Sequence, residues 1–328
     1  MITLSRVHRQ SDRTRCVQSL AAGFCMTLAV VPKLAAAEPN SELPAGGLAY
    51  AALQSLVTER EDIVVAADRV RATYIVRNSG DEPRSTLVAF ALPDIDMLSL
   101  DGALINNPAY DPQNPANFVA FSAQVDGQPV ETFVESRALA LGLIDVTQTL
   151  KNLKLPLYPL HPEISEQLAA LPDAAKTELL QRNLVRVADG QLEPLWHLKT
   201  TLFWQQPFAV GQVRTIVIGY RPIGGSGPWT SETAAVFKQR YCVSDATAAA
   251  LDGRAAKGEP ADVKWVHYLA YAGASARGAA ASYRTAIEAS GKQSGFTCRQ
   301  GLTGKASSRE TTLTDYIGDE EIQVLFVE

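Results

Sequence analysis

The stretch from Arg69 to Leu92 constrains this chain most. In it Val70, Ala72, Tyr74 and Val76 alternate with Arg69, Arg71, Thr73 and Arg77. That period of two sets apolar side chains on one face of a strand and charged ones on the other. A helix would scatter the same residues around its circumference. Asn78, Ser79, Gly80 and Asp81 follow as a turn, and Thr86 to Leu92 then reads as a strand apolar on both faces, a central position, stopped by Pro93. The alternation returns at Phe121, Ala123 and Val125, breaks at Asp126-Gly127, and resumes at Val130, Thr132 and Val134. This is a hairpin signal, with glycine supplying the positive φ of the turn.

Around these strands the pattern changes twice. Residues 38 to 61 read as a partly extended lead-in, and Asp94 to Asn117 is crowded with Asn, Asp and Pro, as loops are. Asp145 can cap a short helix carrying Val146, Leu150 and Leu153. A proline-punctuated connector, Pro156, Pro159 and Pro162, leads to Ile164, Leu168, Leu171, Ala175 and Leu179 at helical spacing, as one helix or two divided near Pro172. Strands return at Trp196 to Trp204 and Val213 to Tyr220, with weaker candidates at Lys238 to Val243, Lys264 to Tyr271, Ser282 to Ala289 and Ile322 to Val327. The fold expected is mainly β with a helical insertion, of the α+β class, built as two packed antiparallel sandwich-like parts. The organisation expected is a signal peptide at 1–37, an N-terminal sandwich-like domain at 38–150, connector and helices at 151–190, and a β-rich domain at 191–328.

The first 37 residues have the parts of an export signal. Arg6, Arg9, Arg13 and Arg15 precede an apolar run from Cys16 to Val31, and Ala35, Ala36 and Ala37 offer a cleavage site before Glu38. The run is short and interrupted for a membrane span, which wants about 20 apolar residues; an uncleaved anchor is the alternative. Phe24 before Cys25 argues against a lipoprotein. The whole chain holds 30 Lys/Arg and 35 Asp/Glu, and cleavage removes five basic residues and one acid. An acidic mature chain without a basic cluster opposes phosphate backbones, so nucleic acid is excluded as a partner. No later segment reaches membrane-spanning length. The mature part has two cysteines, Cys242 and Cys298, which pair readily in an oxidising compartment, two separate buried thiols being the alternative. Closing the loop between them would stabilise the fold by roughly 4 kcal/mol.

Chemistry is harder to place. Gly224-Gly225-Ser226-Gly227-Pro228 lacks the last glycine of a nucleophile elbow and reads as a hairpin tip. Gly273 to Gly278 lacks the lysine and hydroxyl of a phosphate loop, which leaves no nucleotide site. His161, His197 and His267 are the histidines of the mature part; Glu193 and His197 are four apart, but Pro194 and the alternation after Trp196 argue against the helix that would join them. Asp94, Asp96 and Asp101 could supply oxygens to a calcium ion, although EF-hand spacing is absent. Of the four tryptophans, Trp196, Trp204 and Trp265 suit a core, whereas Trp229 follows the glycine-rich turn and is expected to be exposed.

SELPAGGL, DRVRATYIVRNSGDEPRSTLVAFALPDID, the Trp196 to Trp204 strand followed by GYRPIGG, and Tyr241-Cys242 together resemble the bacterial family of unknown function DUF4424. The resemblance runs from about Asn40 to Glu328 and implies an exported protein of about this length, with no reaction attached. Where such proteins tend to read T-G-A-N-W, this chain has AGASA from Ala272 to Ala276, so no role of a tryptophan carries over. The strand-turn-strand pattern is also similar to sandwich domains of the vault and inter-alpha-trypsin type, which implies packed antiparallel sheets.

The reading that follows is an exported, non-catalytic binding or assembly protein of the cell envelope, periplasmic or secreted after cleavage near Ala37. It needs no cofactor or metal, its partner is an envelope protein, glycan or lipid, and its binding residues are sought at Asp94, Asp96, Asp101 and Trp229. The alternative is a periplasmic hydrolase using Asp94 or Asp96 with one histidine. A concave pocket joining His197 or His267 to a carboxylate favours the enzyme, and a flat or apolar exposed patch favours the binder.

Overall fold

The computed structural model describes residues 48–50, 55–92, 94–98, 105–106, 110–111, 113–259, 261–269, 280–305, 307–316 and 321–328. The export signal, Asp101, most of the 99–109 loop and the glycine-rich 273–278 segment lie outside them.

Three sheets share one apolar core. The largest has eight strands, in the spatial order Thr303–Lys305, Ser308–Tyr316, Ala280–Glu288, Leu56–Val65, Val70–Asn78, Val213–Tyr220, Ser122–Val125 and Gln128–Pro129. A six-stranded sheet joins Leu48–Tyr50, Arg84–Ala91, His197–Phe208, Phe133–Ala140 and Ile144–Asp145, with Ile95–Asp96 also on His197–Phe208. A five-stranded sheet runs Ser294–Phe296, Glu321–Val327, Asp262–Leu269, Gly224–Pro228 and Ile105–Asn106. The alternation read from the sequence is what closes this core: Val70, Ala72, Tyr74 and Val76 face inward together with Phe90, Trp204, Ile218, Tyr268 and Phe326 from the other strands and sheets. Pairing is antiparallel except that Leu56–Val65 lies parallel to Ala280–Glu288.

The insertion forms three helices, α1 (Thr147–Asn152), α2 (Ile164–Ala169) and α3 (Asp173–Gln181), and α2 and α3 divide at Pro172. The N-cap of α1 is Val146 and not Asp145 as expected; the Asp145 carboxylate, one residue further out, accepts the Thr147 N–H at 2.9 Å. Leu150, Ile164, Leu168 and Leu179 close a separate core with Trp196, whose Nε1 donates to the Leu157 carbonyl at 2.9 Å and ties down the proline-rich connector. Two further helices, α4 (Ala234–Tyr241) and α5 (Asp245–Ala255), cover the outer face of the five-stranded sheet.

Several local expectations are corrected. Thr86 to Leu92 is central, between Leu48–Tyr50 and His197–Phe208, and carries apolar residues on both faces, but only one face is buried: Leu87 is 50% exposed while Val88 and Phe90 are buried. The Asp126-Gly127 turn has both residues at positive φ, 52° and 79°. Its return strand is only Gln128–Pro129, after which the chain crosses to the six-stranded sheet at Phe133. The lead-in ends sooner than expected, because Leu56–Val65 is already a full strand. Lys238 to Val243 belongs to α4 and its cap. Gly224–Pro228 is a strand, not a hairpin tip. Its glycines are needed because the Trp265 indole lies on it, where a Cβ at Gly225 would come within 2.0 Å of the ring.

The core also contains polar groups. Glu61 is 2% exposed, and burial pushes the Tyr220 and Tyr268 hydroxyls well above the ordinary value of 10.0, with Tyr74 adding to both and Glu61, Tyr220 and Tyr283 adding to Tyr268. A raised folded-state pKa favours the neutral form, so its contribution is complete below pH ~10 and is lost as the pH rises toward the folded value. Ultraviolet titration is expected to show two tyrosines that ionise only as the protein unfolds in alkali. If every tyrosine titrated near the ordinary value with the fold intact, this burial would be refuted.

Candidate functional site

The sites sought from the sequence separate in space. His197 stands between two carboxylates, with Nε2 3.3 Å from Asp94 Oδ2 and Nδ1 3.8 Å from Asp96 Oδ1, and Lys199 Nζ lies 3.2 Å from Asp94. Asp96 also accepts the Leu98 N–H at 3.0 Å. Asp94 is thus drawn into an ion pair with Lys199, and Asp96 into a turn. The shallow groove beside them is lined by Lys199, Arg137, Glu135 and Phe203, and not by His197. Among the described residues no group of three His, Cys, Asp or Glu side chains converges to hold a metal ion. Trp229 is fully buried, contrary to the exposure expected of it: its ring packs against Phe237, 6.0 Å between centroids, and its Nε1 donates to Asp252 at 2.8 Å. His161 is half-buried, edge-on to Tyr110, and accepts the Glu163 N–H at 3.1 Å.

Two larger cavities lie near α4. One, of about 880 Å³, is a groove between α4 and α5 above Trp229, lined mainly by alanine methyls, with its charges engaged locally as Lys238–Asp245 at 2.5 Å and Asp252–Trp229. The other, of about 650 Å³, has polar side chains on most of its wall, Arg240, Thr297, Arg299, Thr311, Glu321 and Gln323 among them, with Leu313 adding apolar surface.

The polar cavity exists because of how three elements end. Helix α4 stops at Cys242, whose left-handed φ of 52° turns the chain away and leaves Arg240 in the last turn, where a cation suits the carbonyl end of a helix. Cys242 is bonded to Cys298 with Cα atoms 4.9 Å apart across a separation of 56 residues, so the pairing expected from the sequence is present. That bond fixes the 297–301 turn, with Arg299, beside the helix end. The third wall is the start of Glu321–Val327, where the outward positions are Glu321 and Gln323 before the strand turns apolar at Leu325.

Beneath this wall lies His267, 1% exposed at its side chain, across the strand pair from Gln323. Its Nδ1 is 2.8 Å from Glu321 Oε1, and this hydrogen bond holds the Glu321 carboxyl below its ordinary value, with Arg240 nearby adding in the same direction. Arg240 Nε donates to Gln323 Oε1 at 3.1 Å, and the Arg299 guanidinium lies over the Tyr283 ring at 5.8 Å. The cavity therefore offers an ionised carboxylate, two guanidiniums with fixed orientations, and neutral threonine and glutamine groups.

A family profile described as Domain of unknown function (DUF4424) matches residues 36–325. The chain belongs to this family. No curated protein matches the DUF4424 chain. Among solved structures, a putative nutrient binding protein from Legionella pneumophila aligns with 10% identity and a TM-score of 0.41, covering 87% of this chain and 71% of that one. An M1 zinc metallopeptidase from Deinococcus radiodurans aligns with 10% identity and a TM-score of 0.25, covering 84% of this chain; DUF4424 spans 43% of the metallopeptidase chain.

Proposed function

We propose that this DUF4424 protein is exported, loses residues 1–37, and serves as a non-catalytic binding protein of the cell envelope that holds a small solute in the polar cavity beside the disulfide. One observation carries the reading: a buried histidine is spent on fixing a carboxylate in the wall of a cavity that also holds two arginines. Histidine and glutamate are seldom placed this way for packing alone.

A pocket that joins His267 to a carboxylate is also what the hydrolase alternative asks for, but the order of the groups opposes it. In a nucleophilic triad the imidazole faces the substrate and the carboxylate stands behind it. Here Glu321 faces the cavity and His267 lies behind. A carboxylate held below its ordinary pKa is a weak base near neutrality, and Cys298, the thiol nearest the cavity, is spent in the disulfide. The groups suit recognition better than proton transfer.

The test is a thermal-shift screen of the mature chain, residues 38–328, against small polar solutes. A ligand at a hundred times its Kd adds about 2.7 kcal/mol to stability, so at least one compound is expected to raise Tm by several degrees, and Thr311→Trp, which fills the cavity, is expected to abolish that shift. A shift that survives in the filled variant, or a screen without shifts, would refute the site. Export is checked on the native protein, whose N-terminus is expected at Glu38 in the periplasmic or secreted fraction; a full-length cytoplasmic chain would refute it.

A further inference from the structure

We propose that the outer face of the eight-stranded sheet carries a second site, separate from the polar cavity, in which Arg71 and Arg221 hold the phosphate group of a small solute over Gly219. The two sites share no lining residue. Other arginines on this face are neutralised by a neighbour: Arg60 by Asp62 at 2.7 Å, Arg77 by Glu59, and Arg284 by Glu310. Arg69 reaches Glu288 at 3.4 Å. Arg71 and Arg221 differ. Both are exposed, and among the described residues neither guanidinium has an ion pair or a hydrogen bond. Each therefore keeps its whole fork of five N–H donors for a ligand.

Strand register brings the two together. Arg71 lies directly across the strand pair from Gly219, and Arg221 is two residues beyond Gly219, just past the Tyr220–Val70 pair that ends the ladder. Diagonal neighbours of this kind stand about 7–8 Å apart, within reach of long side chains. Both line one groove of about 600 Å³, together with Arg69, Ser122 and Gln124. Gly219 shapes that groove. It stands between Arg71 and Ser122, its partners on the two flanking strands, and a Cβ there would lie 3.5 Å from Ser122 Oγ. Having no side chain, it leaves a notch between a guanidinium and a hydroxyl. Asp68 is the one carboxylate among the described residues of the lining, against three guanidiniums, on a chain in which acids outnumber bases. A local excess of positive charge draws anions to one place. The donors select the anion. A carboxylate has one charge and two oxygens, which a single guanidinium fork satisfies. A phosphate group carries about −1.5 to −2 charges at pH 7 and three acceptor oxygens, enough for both forks and for the Ser122 hydroxyl, which otherwise donates to the Gly219 carbonyl at 3.4 Å.

The experiment is calorimetric titration of the purified, disulfide-bonded protein with inorganic phosphate, glycerol phosphate and acetate. Saturable one-to-one binding of at least one of the two phosphates is expected, and the tighter of them tells a free ion from an ester. Acetate is expected to bind about tenfold more weakly or not at all. Affinity for phosphate is expected to fall about tenfold to a hundredfold in Arg71→Gln and in Arg221→Gln, and by less in the lysine variants, which keep the charge and lose the fork. Both positions are exposed, so these variants are expected to fold as the parent does. Gly219→Val, which fills the notch and leaves both arginines in place, is expected to weaken binding as well. Thr311→Trp, in the other cavity, is expected to bind phosphate as before. No saturable binding of either phosphate, acetate bound as tightly as phosphate, or unchanged affinity in both glutamine variants would overturn the site. Unchanged affinity in Gly219→Val would overturn the seat over Gly219. Loss of phosphate binding in Thr311→Trp would place the anion in the cavity beside the disulfide and overturn the second site.

Discussion

Trp229→Ala is expected to destabilise the protein by about 3–5 kcal/mol, the range for removing a fully buried tryptophan. The ring sits within the core that α4 and α5 close over the five-stranded sheet, with Phe237 at 6.0 Å and Trp265 beyond it at 5.4 Å from Phe237. Truncation leaves a cavity at one end of that aromatic row, and Asp252 loses the indole donor that holds α5 against the sheet. Trp229→Phe keeps most of the packing and loses the hydrogen bond, so a smaller cost of about 1–2 kcal/mol is expected. Urea denaturation of both variants measures the difference. A cost below about 1 kcal/mol for the alanine variant would mean that the ring is not packed as described.

This tryptophan also shows where sequence reading stops. Placed after a glycine-rich segment, Trp229 looks like a residue at a loop tip, because glycine clusters usually mark turns. Here the glycines are a strand thinned to admit Trp265, a reason that lies in a neighbour some 40 residues away and leaves no local trace. The strands with clean alternation were legible, as was the helical division at Pro172, because burial on one face writes itself into the residue order. Ser308–Tyr316 was not. Its residues are mainly polar and several are exposed, and its place is set by pairing with Ala280–Glu288, so no apolar period announces it.

The candidate site was legible only in part. The cysteine pair could be read from composition and compartment. Arg240 and Arg299 could not, since a lone arginine beside a cysteine reads like any surface charge. Glu321 was one acid among many. What assembles them is the crossing of α4, the 297–301 turn and the start of the last strand, a tertiary event. Asp94 and Asp96, which the sequence singles out for their density of oxygens, flank His197 instead, with Asp94 paired to Lys199. Density along the chain is a poor guide to convergence in space.

Reducing the Cys242–Cys298 bridge is expected to cost roughly 4 kcal/mol and to lower Tm by about 5–8 °C. The link spans 56 residues of sequence, a segment that includes α5 and the strands Asp262–Leu269, Ala280–Glu288 and Ser294–Phe296. In the unfolded chain it forbids most of the conformations that this segment would otherwise explore, so the effect acts chiefly on the unfolded state. That makes the prediction sharper than a change in midpoint. Without the bridge the unfolded ensemble expands and exposes more surface, and the urea dependence of stability should steepen as the midpoint falls. Cys242→Ala paired with Cys298→Ala should reproduce both changes without reductant. A falling midpoint at unchanged slope would instead locate the loss in the native state, at the junction of α4 with the 297–301 turn. The same junction carries the two arginines, so in that case the cavity wall would be what the bond holds in place.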